Sequence, residues 1–347
     1  MIRDKTILIK NIYYMLSYAF NMLKKQNYEY VSKESFNNIH NLFAAILVKG
    51  IGKQVKQGLY RQYINKKENL PLLKGKIDIR GTVKNKVEYK QLLSCNFDEL
   101  DENNIYNQIL KTTAYILINS EYVNNENKNN LKKIMLFFSN VDRIDPFLIK
   151  WSNMQYQRNN QSYIMLIGLC RFVIEGMLLN TEKGVYKLAN FIDDKSMAQL
   201  YEKFVLNYYI KEFPQIKAKS AQIPWALDDD KSNMLPTMTS DIMLTKDDNI
   251  LIIDTKYYSK NTQVNHNKNT IYSAHLYQIF SYVKNEAAKN KSNVSGMLLY
   301  AKTDDVIQAY GDYSMSGNRI SARTLDLNQD FEHIETQLKN IVKDFLA

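Results

Sequence analysis

The chain has 347 residues, 45% of them hydrophobic, a formal net charge of +10, and only 11 Gly and 5 Pro. That length suggests two domains with real cores, and so little Gly and Pro argues against long disordered linkers. Two cysteines without CxxC spacing, Cys95 and Cys170, and four scattered histidines argue against structural zinc and a disulfide framework. Reduced, buried thiols in a cytoplasmic protein are the reading that remains. No secretory leader is expected. The most apolar segment, Tyr163 to Leu179, is interrupted by Arg171 and Glu175 and is too short and too charged to span a bilayer.

In chain order, residues 6–25 carry Ile9, Ile12, Tyr13, Leu16, Ala19, Phe20 and Leu23 at helical spacing. Residues 34–58 repeat the pattern with Phe36, Ile39, Leu42, Phe43, Ile46, Leu47 and Ile51. Such stripes mean core packing. Residues 58–71 then read as a strand and a turn. From Leu73 to Val83 the residues alternate, with Lys74, Lys76, Asp78 and Arg80 on one parity and Leu73, Ile77 and Ile79 on the other. This predicts a strand with a basic face, suited to phosphates or simply to water. Asp101 to Asn104 predicts a helix start, residues 124–130 a surface turn, 131–138 a helix, and 163–180 another helix closed by a Lys183-Gly184 turn.

Charge divides along the chain. Residues 1–190 hold 28 Lys/Arg against 16 Asp/Glu, whereas residues 191–347 hold 18 against 20. Residues 41–90 alone hold 12 basic and 3 acidic residues. A regional basic surface suits contact with nucleic acid, although Lys is abundant throughout. The expected division is a mixed α+β domain over 1–190 and a second domain over 191–347, with the boundary in 181–194.

The second half reads α–β–β–β–α–β–(β–β)–α. A helix over 196–213 precedes strands at 216–226 and around 239–258. A helix over 270–288, a buried strand at 294–300, edge strands at 305–310 and 320–325, and a helix at 331–345 follow. Such alternation predicts a mixed sheet with helices on both faces, an α/β layer.

Residues 239–258 concentrate the chemistry. Two apolar runs flank the polar turn Lys246-Asp-Asp-Asn249, and the second run ends in Asp254-Thr-Lys256. Side chains alternate along a strand, so Asp254 and Lys256 share a face and Thr255 points away. If the strands pair, Asp241 comes near Asp254. Phosphodiester hydrolysis needs a nucleophilic water, neutralised charge at phosphorus and a stabilised leaving oxygen. Mg²⁺ (Mn²⁺ also suits) on two carboxylates serves the last two, and a lysine serves the water or the developing charge. Asp241 and Asp254 are the metal candidates, Lys256 the catalytic lysine. Glu202 from the preceding helix is a helper through a metal or water, and Gln278, one turn from Tyr282 on the following helix, reaches a phosphate or a water. A solvated strand end would carry the same tripeptide. Neither Gly-x-Ser-x-Gly nor a nucleotide-binding glycine loop is present, so the chain itself is expected to bind no nucleotide.

The acids and lysine resemble the PD-(D/E)xK nuclease superfamily, with Asp241, Asp254 and Lys256 as its signature, Glu202 as its helix acid and Gln278 as its helix glutamine. Ser240 stands where that pattern has proline. Asn11-Ile-Tyr-Tyr-Met-Leu-Ser-Tyr-Ala19, Leu73-Lys-Gly-Lys-Ile77, Cys95-Asn-Phe-Asp-Glu-Leu100 with Asn107-Gln-Ile-Leu-Lys111, Leu200-Tyr-Glu-Lys-Phe204 and Asp254-Thr-Lys-Tyr-Tyr258 together are similar to the McrC family. The resemblance implies the nuclease subunit of a modification-dependent restriction system. Its implied partners are double-stranded DNA and an McrB-like AAA+ GTPase hexamer that reads modified cytosine. The 1–190 region is then expected to dock on that ring and stimulate GTP hydrolysis, and the 191–347 region to cut DNA with Mg²⁺. Lys74, Lys76 and Arg80 are expected to contact nucleic acid or the ring. The alternatives are a non-enzymatic activator with a vestigial site and a stand-alone nuclease.

Overall fold

The computed structural model describes residues 3–4, 7–20, 38–156, 163–179, 187–189, 192–229, 234–258, 260–265, 268–289 and 292–346. Residues 21–25 and 34–37 of the expected helices, and the Lys183-Gly184 turn, lie outside them. The chain runs β1 (Arg3–Asp4), β2 (Ile7–Leu8), α1 (Ile9–Ala19), α2 (Ile39–Gln57), β3 (Gln62–Leu70), β4 (Lys76–Ile77), α3 (Ile79–Val87), β5 (Leu93–Asp101), α4 (Ile105–Asn119), α5 (Asn125–Met135) and α6 (Tyr163–Met177). It continues β6 (Leu178–Leu179), β7 (Lys187–Leu188), α7 (Asp194–Glu212), β8 (Lys217–Ile223), β9 (Met238–Lys246), β10 (Asn249–Lys256), β11 (Gln263–Asn265), β12 (Lys268–Thr270), α8 (Ser273–Lys289), β13 (Asn293–Ala301), β14 (Gly311–Met315), β15 (Asn318–Leu325) and α9 (Phe331–Leu346). This is the mixed α+β architecture the pattern predicts.

Two compact units form, but a single cut near residue 190 does not separate them. One unit combines Met1–Leu42 with Glu175–Ala347, and the other is Phe43–Ile174. Both crossings fall inside helices, α2 and α6, where no glycine- or proline-rich linker marks them. The reason α1 belongs with the C-terminal half is visible in its contacts. Buried Asn11 donates through Nδ2 to the carbonyls of Leu327 (2.8 Å) and Gln329 (2.7 Å). The Tyr14 ring stacks on Phe331 at 4.2 Å, and Tyr18 packs edge-on against Phe204 and Tyr208 of α7. Aromatic pairs of this kind contribute about 0.5–1.5 kcal/mol each beyond their buried area.

The discontinuous unit is built on a six-stranded sheet ordered β14-β15-β13-β10-β9-β8. β10, β13 and β15 run parallel, and the remaining pairs are antiparallel. Ile250 and Ile252 of β10 and Val294 and Leu298 of β13 pack with Ile279, Tyr282 and Val283 of α8 in one core. α8 comes unusually close because Gly296 has no side chain. A Cβ there would lie 2.6 Å from Val283 Cγ2 and 2.8 Å from Ile279 Cγ1. The Tyr209 hydroxyl of α7 donates to the Leu338 carbonyl of α9 at 3.1 Å, joining those two helices. Residues 305–310, expected as an edge strand, form no strand. The edge is β14, paired with β15 through a turn at Ser316 and Gly317 with φ of 49° and 86°.

In the other unit β5 lies between β3 and β4. Expected alternation over 73–83 stops after two strand residues. The chain then coils into α3, so Arg80 sits on a helix and shares no strand face with Lys74 and Lys76. Asp78 is the N-cap residue of α3, and its carboxylate lies 2.5 Å from the Lys67 ammonium. Gly75 is required just before, with φ +68° and its position of a Cβ only 2.5 Å from the Asn96 carbonyl. The start of α4 is set by Asn104, whose side chain accepts from Asn107 N, rather than by Asp101. Residues 124–130 are no turn. Asn124 caps α5 through the same Asx geometry, and Leu131 and Met135 bury one face four residues apart. Buried Asn107 ties this unit together. It donates to the carbonyls of Tyr60 (2.9 Å) and Glu102 (2.7 Å) and accepts from the Tyr163 hydroxyl (2.8 Å).

Candidate active site

The β9–β10 hairpin turns through Asp247 and Asp248, with Asp247 at φ +50°, a conformation Asp tolerates better than most residues. The pairing runs from Asn249 opposite Lys246 to Ile253 opposite Ile242. One step further stand Asp254 and Asp241, so the register itself brings the two carboxylates to the same strand end.

A bulge aims the first of them. Lys219 of β8 pairs with Met243, but Ala221 pairs with Ser240, so one β8 residue opposes both Asp241 and Ile242. Bulges bend a strand and re-aim side chains, and they recur beside functional sites. Two serines mend the interrupted ladder. Ser220 Oγ donates to the Ser240 carbonyl (2.8 Å), and Ser240 Oγ to the Ala221 carbonyl (3.2 Å).

Thr255 then fixes the Asp241 carboxylate. Its amide and its hydroxyl both donate to Oδ2, each at 2.7 Å. Its backbone and hydroxyl thus hold one oxygen of Asp241 and leave Oδ1 outside that grip.

Asp254 and Lys256 lie on the β10 face that carries Ile250 and Ile252 toward α8. Asp254 is 1% and Lys256 8% exposed. Lys256 Nζ stands 2.5 Å from Asp254 Oδ2 and donates to Gln278 Oε1 at 2.9 Å. Gln278 Nε2 in turn donates to the Tyr282 hydroxyl at 2.9 Å. The Asp254 oxygen is buried and meets its lysine as an ion pair without a well-directed hydrogen bond. Burial pushes the Asp254 pKa up to about 6, Lys256 pulls against that, and the Asp241 charge adds to the rise. Glu202 on α7, half-buried, is also pushed up, first by burial and then by Asp241 and Asp254. Three carboxylates thus feel one another's charge at this strand end.

That is an arrangement a divalent cation relieves. Among the described residues no three His, Cys, Asp or Glu side chains are already gathered as a metal cage. Mg²⁺ does not need one, since it is commonly held by one or two carboxylates and completed by waters and phosphate oxygens. Asp241 with an uncommitted oxygen and Asp254 with a poorly satisfied one fit that role. Glu202 stands in the same field.

The five site residues expected from sequence are thus brought together by β9, β10, α7 and α8. Lys74, Lys76 and Arg80 lie in the other unit, all exposed. Lys74 is paired with Glu99 at 3.0 Å and sits 4.0 Å from the Phe97 ring centre. Thr255, Ser220, Tyr300 and His275 escaped sequence reading. Tyr300 stands beside Lys256 in the parallel ladder, and His275 Nδ1 is 2.9 Å from its hydroxyl.

Comparison with known proteins adds the lineage. The family model of the McrBC 5-methylcytosine restriction system component matches residues 2–301. The chain is 26% identical over 343 residues to the Type IV methyl-directed restriction enzyme EcoKMcrBC of Escherichia coli (strain K12), covering 97% of this chain and 98% of that protein. Its fold is similar to a chain from the assembly of Thermococcus gammatolerans McrB AAA+ hexamers with bound McrC. The TM-score there is 0.55 and the identity 16%, over 97% of this chain and 76% of that one. A chain of the Thermococcus gammatolerans McrBC complex matches 58% of each chain at TM-score 0.43 and 18% identity.

Proposed function

The chain belongs to the family of McrBC 5-methylcytosine restriction system components, and from that premise we propose that it is the DNA-cutting subunit of a GTP-dependent, modified-cytosine-directed restriction complex. The observation that carries this reading is the meeting of Asp241, Asp254 and Lys256 at one strand end, with Glu202 and Gln278 supplied by the flanking helices.

Asp241 and Asp254 would hold Mg²⁺, and Mn²⁺ suits the same oxygens. When bound, the cation neutralises charge at phosphorus and stabilises the departing oxygen. The chain's own groups do the rest. Thr255 keeps the Asp241 carboxylate in one orientation. Lys256 has three donors, of which Asp254 and Gln278 engage two. The third is available to a water or a non-bridging phosphate oxygen, orienting the attack and stabilising the added negative charge. Gln278, itself held by Tyr282, keeps the ammonium from turning fully toward Asp254.

The 43–174 unit would dock on an McrB-like AAA+ GTPase hexamer and stimulate it, so that the larger unit cuts double-stranded DNA only in the complex. Its surface supports an interaction role. Ile79, Val83 and Val87 of α3 are exposed at four-residue spacing, the reverse of a packed helix, with Arg80, Lys84 and Lys86 beside them.

The test is DNA cleavage with and without a neighbouring-gene GTPase, GTP and Mg²⁺. Cleavage is expected only with all three. Asp254→Ala and Lys256→Ala are each expected to abolish it, and unchanged cleavage with either removes the site assignment.

A further inference from the structure

Directly after Lys256 the chain carries two tyrosines with different fates. Tyr257 is half-buried, its ring 6.4 Å from that of Tyr201 on α7. Tyr258 remains 49% exposed. Its ring is not loose, for it stacks on the imidazole of His275 with centroids 5.3 Å apart and planes 20° from parallel. Tyr272 flanks the same imidazole at 5.1 Å.

The imidazole is fixed from the core side. His275 lies on the first turn of α8, and its Nδ1 is 2.9 Å from the hydroxyl of Tyr300. Tyr300 is fully buried and is the residue in register with Lys256 across β10 and β13. The element that flanks the lysine therefore also sets the ring beneath Tyr258. Burial and the nearby Lys256 charge lower the His275 pKa to about 4, which leaves the imidazole neutral.

A half-exposed, rigidly backed aromatic ring costs hydration free energy unless something flat covers it. Its position indicates what. Residues 256 and 258 are at most about 7 Å apart along the backbone. That separation is comparable with the span of one nucleotide, and exposed Lys260 adds positive charge two residues beyond Tyr258 in the sequence. Every nucleobase has a π-face, and aromatic side chains beside a cationic track are the usual way an unpaired strand is held.

We propose that Tyr258, supported by His275, is a stacking surface for an unpaired nucleobase of the DNA strand lying in the Asp241, Asp254 and Lys256 site. The inference rests on the nuclease reading and adds to it a requirement. A base inside a duplex is already stacked on both faces, so the strand must be opened locally before it engages this surface.

The experiment uses the full chain carrying Asp254→Asn, with single-stranded oligonucleotides in which 2-aminopurine replaces one base, followed by anisotropy for binding and by fluorescence for stacking. The parent chain is expected to bind and quench the probe at one position. Tyr258→Leu is expected to bind on the order of tenfold more weakly and to lose the quenching, whereas Tyr258→Phe keeps both. A fully paired duplex carrying the same probe is expected to show no comparable quenching. Quenching unchanged in Tyr258→Leu, quenching lost in Tyr258→Phe, equal quenching in the duplex, or no anisotropy change at any protein concentration reached would each overturn the proposal. Cleavage is scored separately in the reconstituted complex. If Asp254→Asn still cuts, the nuclease reading falls. If it does not cut and the stacking arms are negative, only the stacking surface falls.

Discussion

The strand end at Asp254 and the β3–β5–β4 region with α3 invert each other's logic. At the first, charges are buried and apolar residues complete the core beneath them. Asp254 and Lys256 are nearly inaccessible, Lys256 is paired with Asp254 and Gln278, and Thr255 holds one oxygen of Asp241. At the second, apolar side chains face solvent, and charges lie beside them in surface pairs such as Lys66 with Glu99 and Asp101, and Lys67 with Asp78. Surface pairs of this kind contribute little to stability. The first region holds charged groups out of water, which costs stability. The second leaves hydrophobic area uncovered. The proposed cutting site and the proposed docking surface thus carry opposite signatures in burial, and the opposition can be tested.

The largest expected effect is at the buried charges. Asp254→Asn is expected to remove detectable cleavage, and Lys256→Ala to abolish it likewise at the sensitivity of the assay, a loss of at least on the order of 10²- to 10³-fold, measured in the reconstituted complex under single-turnover conditions. Next comes the hydroxyl that fixes Asp241. Thr255→Val is expected to weaken Mg²⁺ binding by roughly 10- to 100-fold in calorimetric titration, while Thr255→Ser stays near the parent. If both variants behave alike, packing rather than the hydrogen bond is what matters at that position.

Gly296→Ala tests the close approach of α8. Relief of the clash moves the helix, so a loss of about 1–3 kcal/mol is expected in denaturant unfolding, with a larger proportional loss of cleavage because Gln278 leaves Lys256. In the proposed docking region the order reverses. Ile79→Asp with Val83→Asp is expected to leave the thermal midpoint within about 2 °C of the parent and to weaken GTPase stimulation by about tenfold or more. A large fall in the midpoint instead would show that the α3 face is covered within the chain.

The smallest effect is a pH dependence. Asp254 has a folded-state pKa raised to about 6. A raised carboxyl binds protons more readily in the folded state, so this group's contribution to metal-free stability increases as pH falls through about 6 toward the unfolded carboxylate range. Metal and proton compete for the same oxygens. The rise in thermal midpoint caused by Mg²⁺ is therefore expected to be present at pH 7.5 and to shrink as pH falls through about 6, in scanning fluorimetry with and without the cation. A Mg²⁺ increment that persists unchanged at pH 5 would place the cation elsewhere.

Much of the larger unit was legible because its periodicities are strong and local. Helices over 196–213 and 270–288, the hairpin at 239–258 and the buried strand at 294–300 follow from apolar spacing alone, and each lies within a few residues of its observed place. The convergence of Asp241 with Asp254 was legible through strand parity. What was hidden depends on contacts distant in sequence. No local pattern shows that Asn11 bonds to carbonyls beyond residue 320, so α1 reads as the start of an N-terminal domain. Nor does any pattern show the bulge at Asp241, because an extra residue is visible only against its partner strand. In 73–83 alternation mimicked a strand, and capping by Asn124 disguised a helix start as a polar turn. The charge count could not show pairing in space, where Lys66, Lys67 and Lys74 of the basic segment face Glu99 or Asp78.

The discontinuous unit has a consequence for synthesis. A ribosome releases α1 first and α9 last, and these are the elements that close on each other through Asn11, Tyr14 and Phe331. Residues 43–174 form a compact unit, and compact units generally fold as such while the rest of a chain is still being translated. The unit carrying Asp254 and Lys256 has no complete core until the final helix emerges, more than 300 residues after its first segment. An unfinished or truncated chain would then present the compact 43–174 unit without the assembled strand end that carries Asp254 and Lys256.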